Sequence, residues 1–403
     1  MEEHPDREIE NVFLSFLKEN HSPQSIAQDS QHFKPEDWQR LFELAKEAEL
    51  ASVFCFRLTS LYLNNLPDTL ALRFKNIYLR NLKRNLIFER ELIKILSYLR
   101  EESIPVIPLK GPFLARRLYQ DIGLRKSPCD LDLLVQPERV QEAREKLQNL
   151  GYLCNQNNAE HTKKFISQIM LSKSMTGGGN VIIDLHHGFR DRFTGMHAEQ
   201  IWSNAKIISL EGYQVQAPSF EDLLLYLTLE SLRSHIYIEN FLNLKYIYDI
   251  HSLITKFNRD INWQTLEYAA GRLNLNAALY FALKISKEFF DTVTPENFLG
   301  QIKPAFIKES VLKLWINKNN ILRKNKKIAL SYVWRYVATS YLYSKNAFDS
   351  IRMMRRKIFL PLEQVAGLYN QPLSQKAYYF YARRLLNPII GAKRKTTETQ
   401  PQT

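Results

Sequence analysis

Residues 109–135, reading LKGPFLARRLYQDIGLRKSPCDLDLLV, constrain this chain more than any other segment. A Lys-Gly turn opens a helix, and a short apolar strand then begins with Asp130 and Asp132 separated by one leucine. Side chains alternate along a strand, so Asp130 and Asp132 share one face while Leu131 and Leu133 point to the other. Two carboxylates held side by side repel each other unless a cation lies between them. Hard divalent ions take oxygen ligands of this kind together with substrate phosphates. The pattern therefore predicts metal-dependent transfer on a nucleotide.

At 403 residues the chain is long enough for two or three packed units. Its 45% hydrophobic share and its 23 Phe and 20 Tyr fit a globular protein with substantial cores. Only three cysteines occur, Cys55, Cys129 and Cys154, too few and too scattered for a disulfide framework or a zinc knuckle. Cys129 adjoins the acidic pair and reads as a small apolar filler. The first ten residues, MEEHPDREIE, lack the basic and apolar segments of a signal peptide. No apolar run approaches the roughly 18 residues of a membrane span, so a cytoplasmic protein is expected.

Charge is unevenly placed. The net formal charge is +13, yet residues 301–403 hold 20 Lys and Arg against 4 Asp and Glu. The basic clusters fall at 323–327, at Arg352 with 355–357, and at 393–395. Such a surplus can meet nucleic acid, an anionic membrane surface or a polyphosphate, or it can be a solvated helical surface with a charged tail.

Periodicity fills in the rest. Trp38, Leu41, Leu44, Ala45 and Ala48 predict a helix over 36–60. Two further helices are expected, at 70–82 and 86–99. The run 104–109, β-branched with two prolines, predicts a strand near a sheet edge. Gly111-Pro112 starts the next helix, with proline suited to its first turn. The 131–135 strand is followed by a helix from Pro137 that ends at Gly151. After a glycine turn at 177–180, residues 181–186 form a strand on which Asp184 and His186 face the same way. Helices are expected again after Pro218, over 220–232 and 241–254. The fold class is α+β: a small mixed-sheet core over about 101–217, helical regions at 1–100 and 218–390, and a disordered basic tail at 391–403.

These residues carry a resemblance. Leu109-Lys110-Gly111, Leu118-Tyr119, the 130–135 strand, Leu150-Gly151-Tyr152 and Asp184-Leu185-His186 occur in one order. Asp37-Trp38 precedes them, and Ser234-His235, Leu244-Lys245, Asp249 and Ile261-Asn262-Trp263 follow. The set resembles the uncharacterised nucleotidyltransferase family of bacteria, a branch of the DNA polymerase β-like nucleotidyltransferase superfamily, over roughly residues 36–390.

The resemblance implies a role for each residue. Lys110 and Gly111 would hold the triphosphate at a helix N-terminus, where unpaired N–H groups favour anions. Asp130 and Asp132 would hold Mg²⁺ (or Mn²⁺), and Asp184 would complete the metal site or activate the acceptor hydroxyl. Arg125 or Lys126 would add positive charge for the phosphates; His186 is a candidate for binding the nucleotide and reads equally as a structural histidine. The implied reaction moves a nucleoside monophosphate from a nucleoside triphosphate such as ATP to a hydroxyl of a small molecule, sugar or protein, releasing pyrophosphate. Two other readings stay open, nucleotide addition to RNA and a non-catalytic interaction protein that keeps the fold. The aromatic run 378–381 and His235 read first as helix packing.

Overall fold

The computed structural model describes residues 5–18, 22–61, 66–154, 168–175, 179–188, 196–233, 243–314, 316, 318–322, 340–344 and 348–352. His235, Phe241, the basic clusters at 323–327, 355–357 and 393–395, the aromatic run at 378–381 and the tail at 391–403 lie outside these residues. So do Gly177 and Gly178 of the expected turn. Among the described residues, no helix is long and apolar enough to cross a membrane.

Four helices lead into the longest element of the fold: α1 (Pro5–Leu17), α2 (Pro23–Ser30), α3 (Pro35–Glu47) and α4 (Ala51–Leu61). The single helix expected over 36–60 is thus two. Glu49 adopts a left-handed conformation with φ 60°. The Leu50 N–H reaches back to the Ala45 carbonyl at 2.9 Å, and the Glu49 N–H reaches that of Lys46 at 3.1 Å. This is the Schellman ending, usually built with glycine, and it satisfies carbonyls that the helix end leaves unpaired. A left-handed non-glycine residue costs about 1 kcal/mol. The Glu49 side chain offsets that cost by pairing with Lys126 and, at 2.7 Å, with Lys245.

The reverse correction applies next. Residues 68–101, expected as two helices, form one 34-residue helix, α5 (Asp68–Glu101). The apolar stripe lapses at Lys83-Arg84-Asn85, but no glycine or proline stands there to end a helix. The polar positions on its inner face have partners instead. Asn85 donates to the carbonyls of Ile122 (2.6 Å) and Arg125 (2.8 Å), and Asn81 donates to Ser52 at 2.7 Å. Asn81 also accepts from the Ser127 N–H at 3.2 Å. Arg84 donates to the Pro128 carbonyl at 2.9 Å. Helix α5 is therefore the rail on which the 122–128 segment is laid, and that segment delivers the acidic strand.

The sheet comprises β1 (Ile107–Pro108), β2 (Asp130–Leu134), β3 (Leu153–Cys154), β4 (Gln168–Ser174) and β5 (Asn180–His186), in the order β1-β2-β5-β4-β3. β2 and β5 run parallel, and the other pairs are antiparallel. β1 sits at the edge, as its prolines require, and they cut it to two residues. Helix α6 (Pro112–Leu118) links β1 to β2. A 3₁₀ turn (Pro137–Arg139) and α7 (Val140–Asn149) link β2 to β3.

After α8 (Ala198–Asn204), β6 (Lys206–Leu210) and β7 (Tyr213–Ala217) form a separate two-stranded sheet. Its turn, Glu211-Gly212, has positive φ at both residues, as a two-residue hairpin turn with the strand's own twist demands. Then come α9 (Phe220–Arg233), α10 (Leu244–Phe257), α11 (Trp263–Arg272), α12 (Asn276–Phe290), and the short α13 (Phe298–Gln301), α14 (Phe306–Lys313) and α15 (Lys318–Leu322). The architecture is a mixed sheet with helical regions before and after it, the α+β class expected.

One continuous core joins the parts. Leu131 and Leu133 of β2 and Ile183 and Leu185 of β5 are buried in one core with Phe113 and Leu114 of α6 and Leu223, Leu224 and Leu227 of α9. Full burial of each such side chain stabilises by about 1.5–3 kcal/mol. The polar face of β2 and β5 is thereby left on one side of a rigid sheet.

Candidate active site

The parallel pairing of β2 with β5 brings the acidic residues together. Asp132 stands opposite Asp184, Asp130 opposite Ile182, and Leu134 opposite His186. Strand alternation then puts Asp130, Asp132, Asp184 and His186 on the face away from the Leu131–Leu133 core. The His186 Nε2 lies 3.0 Å from the Asp132 Oδ1. One ligand atom each from Asp132, Asp184 and His186 falls within 4.8 Å of the others, close enough to share one metal ion. Asp130, expected in the metal set with Asp132 and Asp184, lies on the same strand face but outside this trio, which includes His186. Gln168, on the neighbouring β4, donates to the Asp184 Oδ2 at 3.3 Å.

Electrostatics separate the three carboxylates. Burial raises Asp130 to about 6, with the negative charges of Asp132 and Asp184 adding to the effect. Asp184 is raised as well, by burial and by Asp132. At Asp132 burial works in the same direction, but the Lys110 ammonium and His186 outweigh it and hold the carboxyl well below the usual range. The site thus pairs one firmly ionised carboxylate with two that take up protons more readily, a division suited to holding a cation and moving a proton.

Lys110 is the cation at the centre. Its Nζ lies 3.2 Å from the Asp132 Oδ1 and 2.9 Å from the Glu230 Oε2, with the Tyr226 ring 5.8 Å away. Burial lowers its pKa, but the attraction of Asp132 and Glu230 prevails and the ammonium is held well above its ordinary range. Glu230 and Tyr226 belong to α9, so the C-terminal helical region contributes directly to the site.

Gly111 caps α6 with φ 68° and ψ −136°, a backbone conformation that an L side chain rarely adopts. That turn carries Lys110 onto the acidic face. The Gly111 carbonyl accepts from the Ala115 N–H at 3.2 Å and from the Arg125 Nη1 at 3.4 Å.

Arg125 and Lys126, expected to meet phosphates, have other partners. Arg125 is 3% exposed and forks onto Asp249 of α10, with Nε to Oδ1 at 2.9 Å and Nη2 to Oδ2 at 2.8 Å. Tyr119 donates to the same Asp249 Oδ1 at 2.8 Å. The guanidinium therefore ties the strand-entry loop to α10 and supports the glycine turn. Lys126 pairs with Glu49, tying the same loop to the α3–α4 junction. Burial opposes ionisation of Glu49, but Lys245 and Lys126 bring it down to about 2.

Sequence reasoning missed Glu230 and, although Asp249 is among the residues that carry the resemblance, gave it no role. Glu230 is a lone acid in the otherwise apolar run LLLYLTLESL, and Asp249 is a lone acid in YIYDIHSL. A single carboxylate on an apolar helix face needs a buried cation, and that need was the available signal. Which cation answers it was not readable from the chain.

The profile of a protein family described as uncharacterised nucleotidyltransferase matches residues 34–291. No curated protein is significantly similar to the chain. Two structures of ANT(2″)-Ia are similar at 15% identity, a crystal structure in complex with adenylyl-2″-tobramycin and a solution structure of this antibiotic-resistance factor. They cover 45% and 49% of this chain and 94% and 95% of their own, with TM-scores of 0.31 and 0.32. A crystal structure of an antigenic nucleotidyltransferase-like protein from Paracoccidioides brasiliensis is 16% identical, covering 50% of this chain and 92% of its own, with a TM-score of 0.28. Likeness at this level carries no weight for the chemistry.

Proposed function

Since the chain belongs to the uncharacterised nucleotidyltransferase family, we propose that it moves a nucleoside monophosphate from a nucleoside triphosphate to a hydroxyl acceptor, with pyrophosphate leaving. The observation that carries this reading is the register of β2 on β5, which sets Asp132 against Asp184 with His186 beside them. Two carboxylates facing one space, together with substrate phosphates, fit Mg²⁺ or Mn²⁺. Asp132 and Asp184 would hold the ion, and Asp130 adjoins them on the same strand face. His186 orients Asp132 through its Nε2, as imidazole–carboxylate contacts around metal sites do. When bound, a divalent ion supplies electrostatic stabilisation of the charge on the phosphates.

The chain's own groups do the rest. Lys110 brings an ammonium to the phosphates from the Gly111 turn. Asp184, whose carboxyl is raised, accepts the proton of the attacking hydroxyl, so that a new phosphate ester forms as the bond to pyrophosphate breaks. The helical regions on either side select the acceptor, and α9 already presents Glu230 and Tyr226 to the site.

Calorimetric titration with each nucleoside triphosphate, with and without Mg²⁺, tests the reading beside an Asp132→Asn/Asp184→Asn variant. Metal-dependent binding of a nucleotide that the variant loses is the expected result. Equal binding by both proteins, or none by folded wild type with metal present, would sink the proposal.

A further inference from the structure

Lys110 occupies an electrostatic position that a divalent ion must share. Its ammonium lies 3.2 Å from the Asp132 Oδ1, the same oxygen that His186 approaches at 3.0 Å. Both contacts fall on Oδ1, so the ammonium and the imidazole share one oxygen of that carboxylate. A divalent ion held by Asp132 and Asp184, on either oxygen of Asp132, would repel an ammonium this close. The closer partner of Lys110 is Glu230 of α9, at 2.9 Å. Lysine has three donors on a flexible stem, so it can leave one carboxylate while keeping another.

We infer that Lys110 is an exchangeable cation tethered by Glu230: it neutralises Asp132 while no metal is present and yields that carboxylate when a divalent ion binds. Glu230 is then a positioning residue, acting through Lys110, and holds the released ammonium until a phosphate oxygen takes it. The inference rests on the metal-site reading above. It links metal binding and nucleotide binding in sequence, because the phosphates receive the cation that the metal displaces. Without a second anchor the ammonium would have nowhere to go, and its pairing with Asp132 would compete with the metal directly.

Titration of Mn²⁺ without nucleotide, followed by the electron paramagnetic resonance signal of the free ion, tests this in wild type, Lys110→Met, Glu230→Gln, Glu230→Asp and the Lys110→Met/Glu230→Gln double variant. Thermal unfolding of each is measured alongside. Lys110→Met should bind Mn²⁺ about tenfold more tightly, the range of ordinary coupling between sites. Glu230→Gln should bind it more weakly. That deficit should vanish in the double variant, because a tether has no effect once its lysine is gone. Glu230→Asp keeps the charge but withdraws the carboxylate, and should resemble Glu230→Gln rather than wild type. This comparison decides the matter even if Lys110→Met fails to fold. Additive effects in the double variant, or wild-type affinity in Glu230→Asp, would reduce Glu230 to a bystander charge and overturn the tether, leaving the metal site standing. Absence of Mn²⁺ binding by folded wild type would overturn the metal site and the inference together.

Discussion

Asp132 and Asp184 face each other directly across two parallel strands that are 52 residues apart in the chain. Neither strand alone brings these carboxylates together, but their register does. Replacing Asp132 by Asn should therefore abolish metal-dependent nucleotide binding. Asp184→Asn should weaken it and suppress turnover more than affinity if Asp184 accepts the hydroxyl proton as proposed. Calorimetry with Mg²⁺ and the bound triphosphate, followed by single-turnover assays, separates the two effects. Equal losses of affinity in both variants would remove the distinction drawn between the carboxylates.

Arg125 and Asp249 form a buried bidentate pair that is 3% and 0% exposed at the side chains. Removing one partner leaves an uncompensated charge in the core and typically costs about 3–5 kcal/mol. Arg125→Met and Asp249→Asn should each lower the urea midpoint sharply. Replacing both by apolar residues of similar volume should recover most of the loss, because the desolvation cost then disappears on both sides. If Arg125→Met left stability intact and removed only nucleotide affinity, the guanidinium would serve the phosphates after all.

Gly123 stands where the loop before β2 crosses α5. A Cβ there would lie 2.8 Å from the Tyr78 ring and 2.9 Å from the Leu82 Cβ, closer than such atoms approach. Gly123→Ala should push the loop off α5 and destabilise by about 1–3 kcal/mol. Gly111→Ala meets nothing closer than 3.6 Å, so its cost, also about 1–3 kcal/mol, comes from the positive φ. The two variants should differ in crystal or NMR structure: a displaced loop in the first, an intact one in the second. Unfolding in denaturant measures both costs.

His251 of α10 is 3% exposed and bonds through Nδ1 to the Thr292 Oγ1 at 2.8 Å. Burial first, then the positive charge of Arg57, brings its pKa down to about 4 from 6.5. Between these values the unfolded chain binds a proton that the folded protein refuses. Stability is therefore complete above about pH 6.5 and falls as the pH drops towards 4, by up to about 3 kcal/mol. Denaturation midpoints of wild type and His251→Gln across pH 4–7 should converge at the acid end. Parallel curves would show that His251 does not drive the change.

The split of the first expected helix and the joining of the next two into α5 show where periodicity misleads. Asn81 and Asn85 look like surface breaks in an apolar stripe, yet both are buried because the 122–127 loop needs their amides. Glu49 gives no local signal of a helix end; its left-handed backbone is sustained by Lys126 and Lys245, residues 77 and 196 positions away. No window of a single chain can contain such partners.

Local chemistry carried in the chain determined the elements of the site. The alternation of acid and leucine at 130–134 put both carboxylates on one strand face, Gly111 marked the turn that only glycine adopts readily, and the same alternation aligned Asp184 with His186. Tertiary structure decided their partners. Register across β2 and β5 set Asp132, Asp184 and His186 within reach of one another, with Asp130 on the same strand face. Arg125 was drawn into the core because the carboxylate of Asp249, buried on α10, takes it as a bidentate partner. Glu230 was brought to Lys110 by the packing of a helix 120 residues further along the chain. Strand alternation and turn geometry are set within a few residues. The pairing of buried charges is set by which surfaces are excluded from water together, and that is a property of the folded whole.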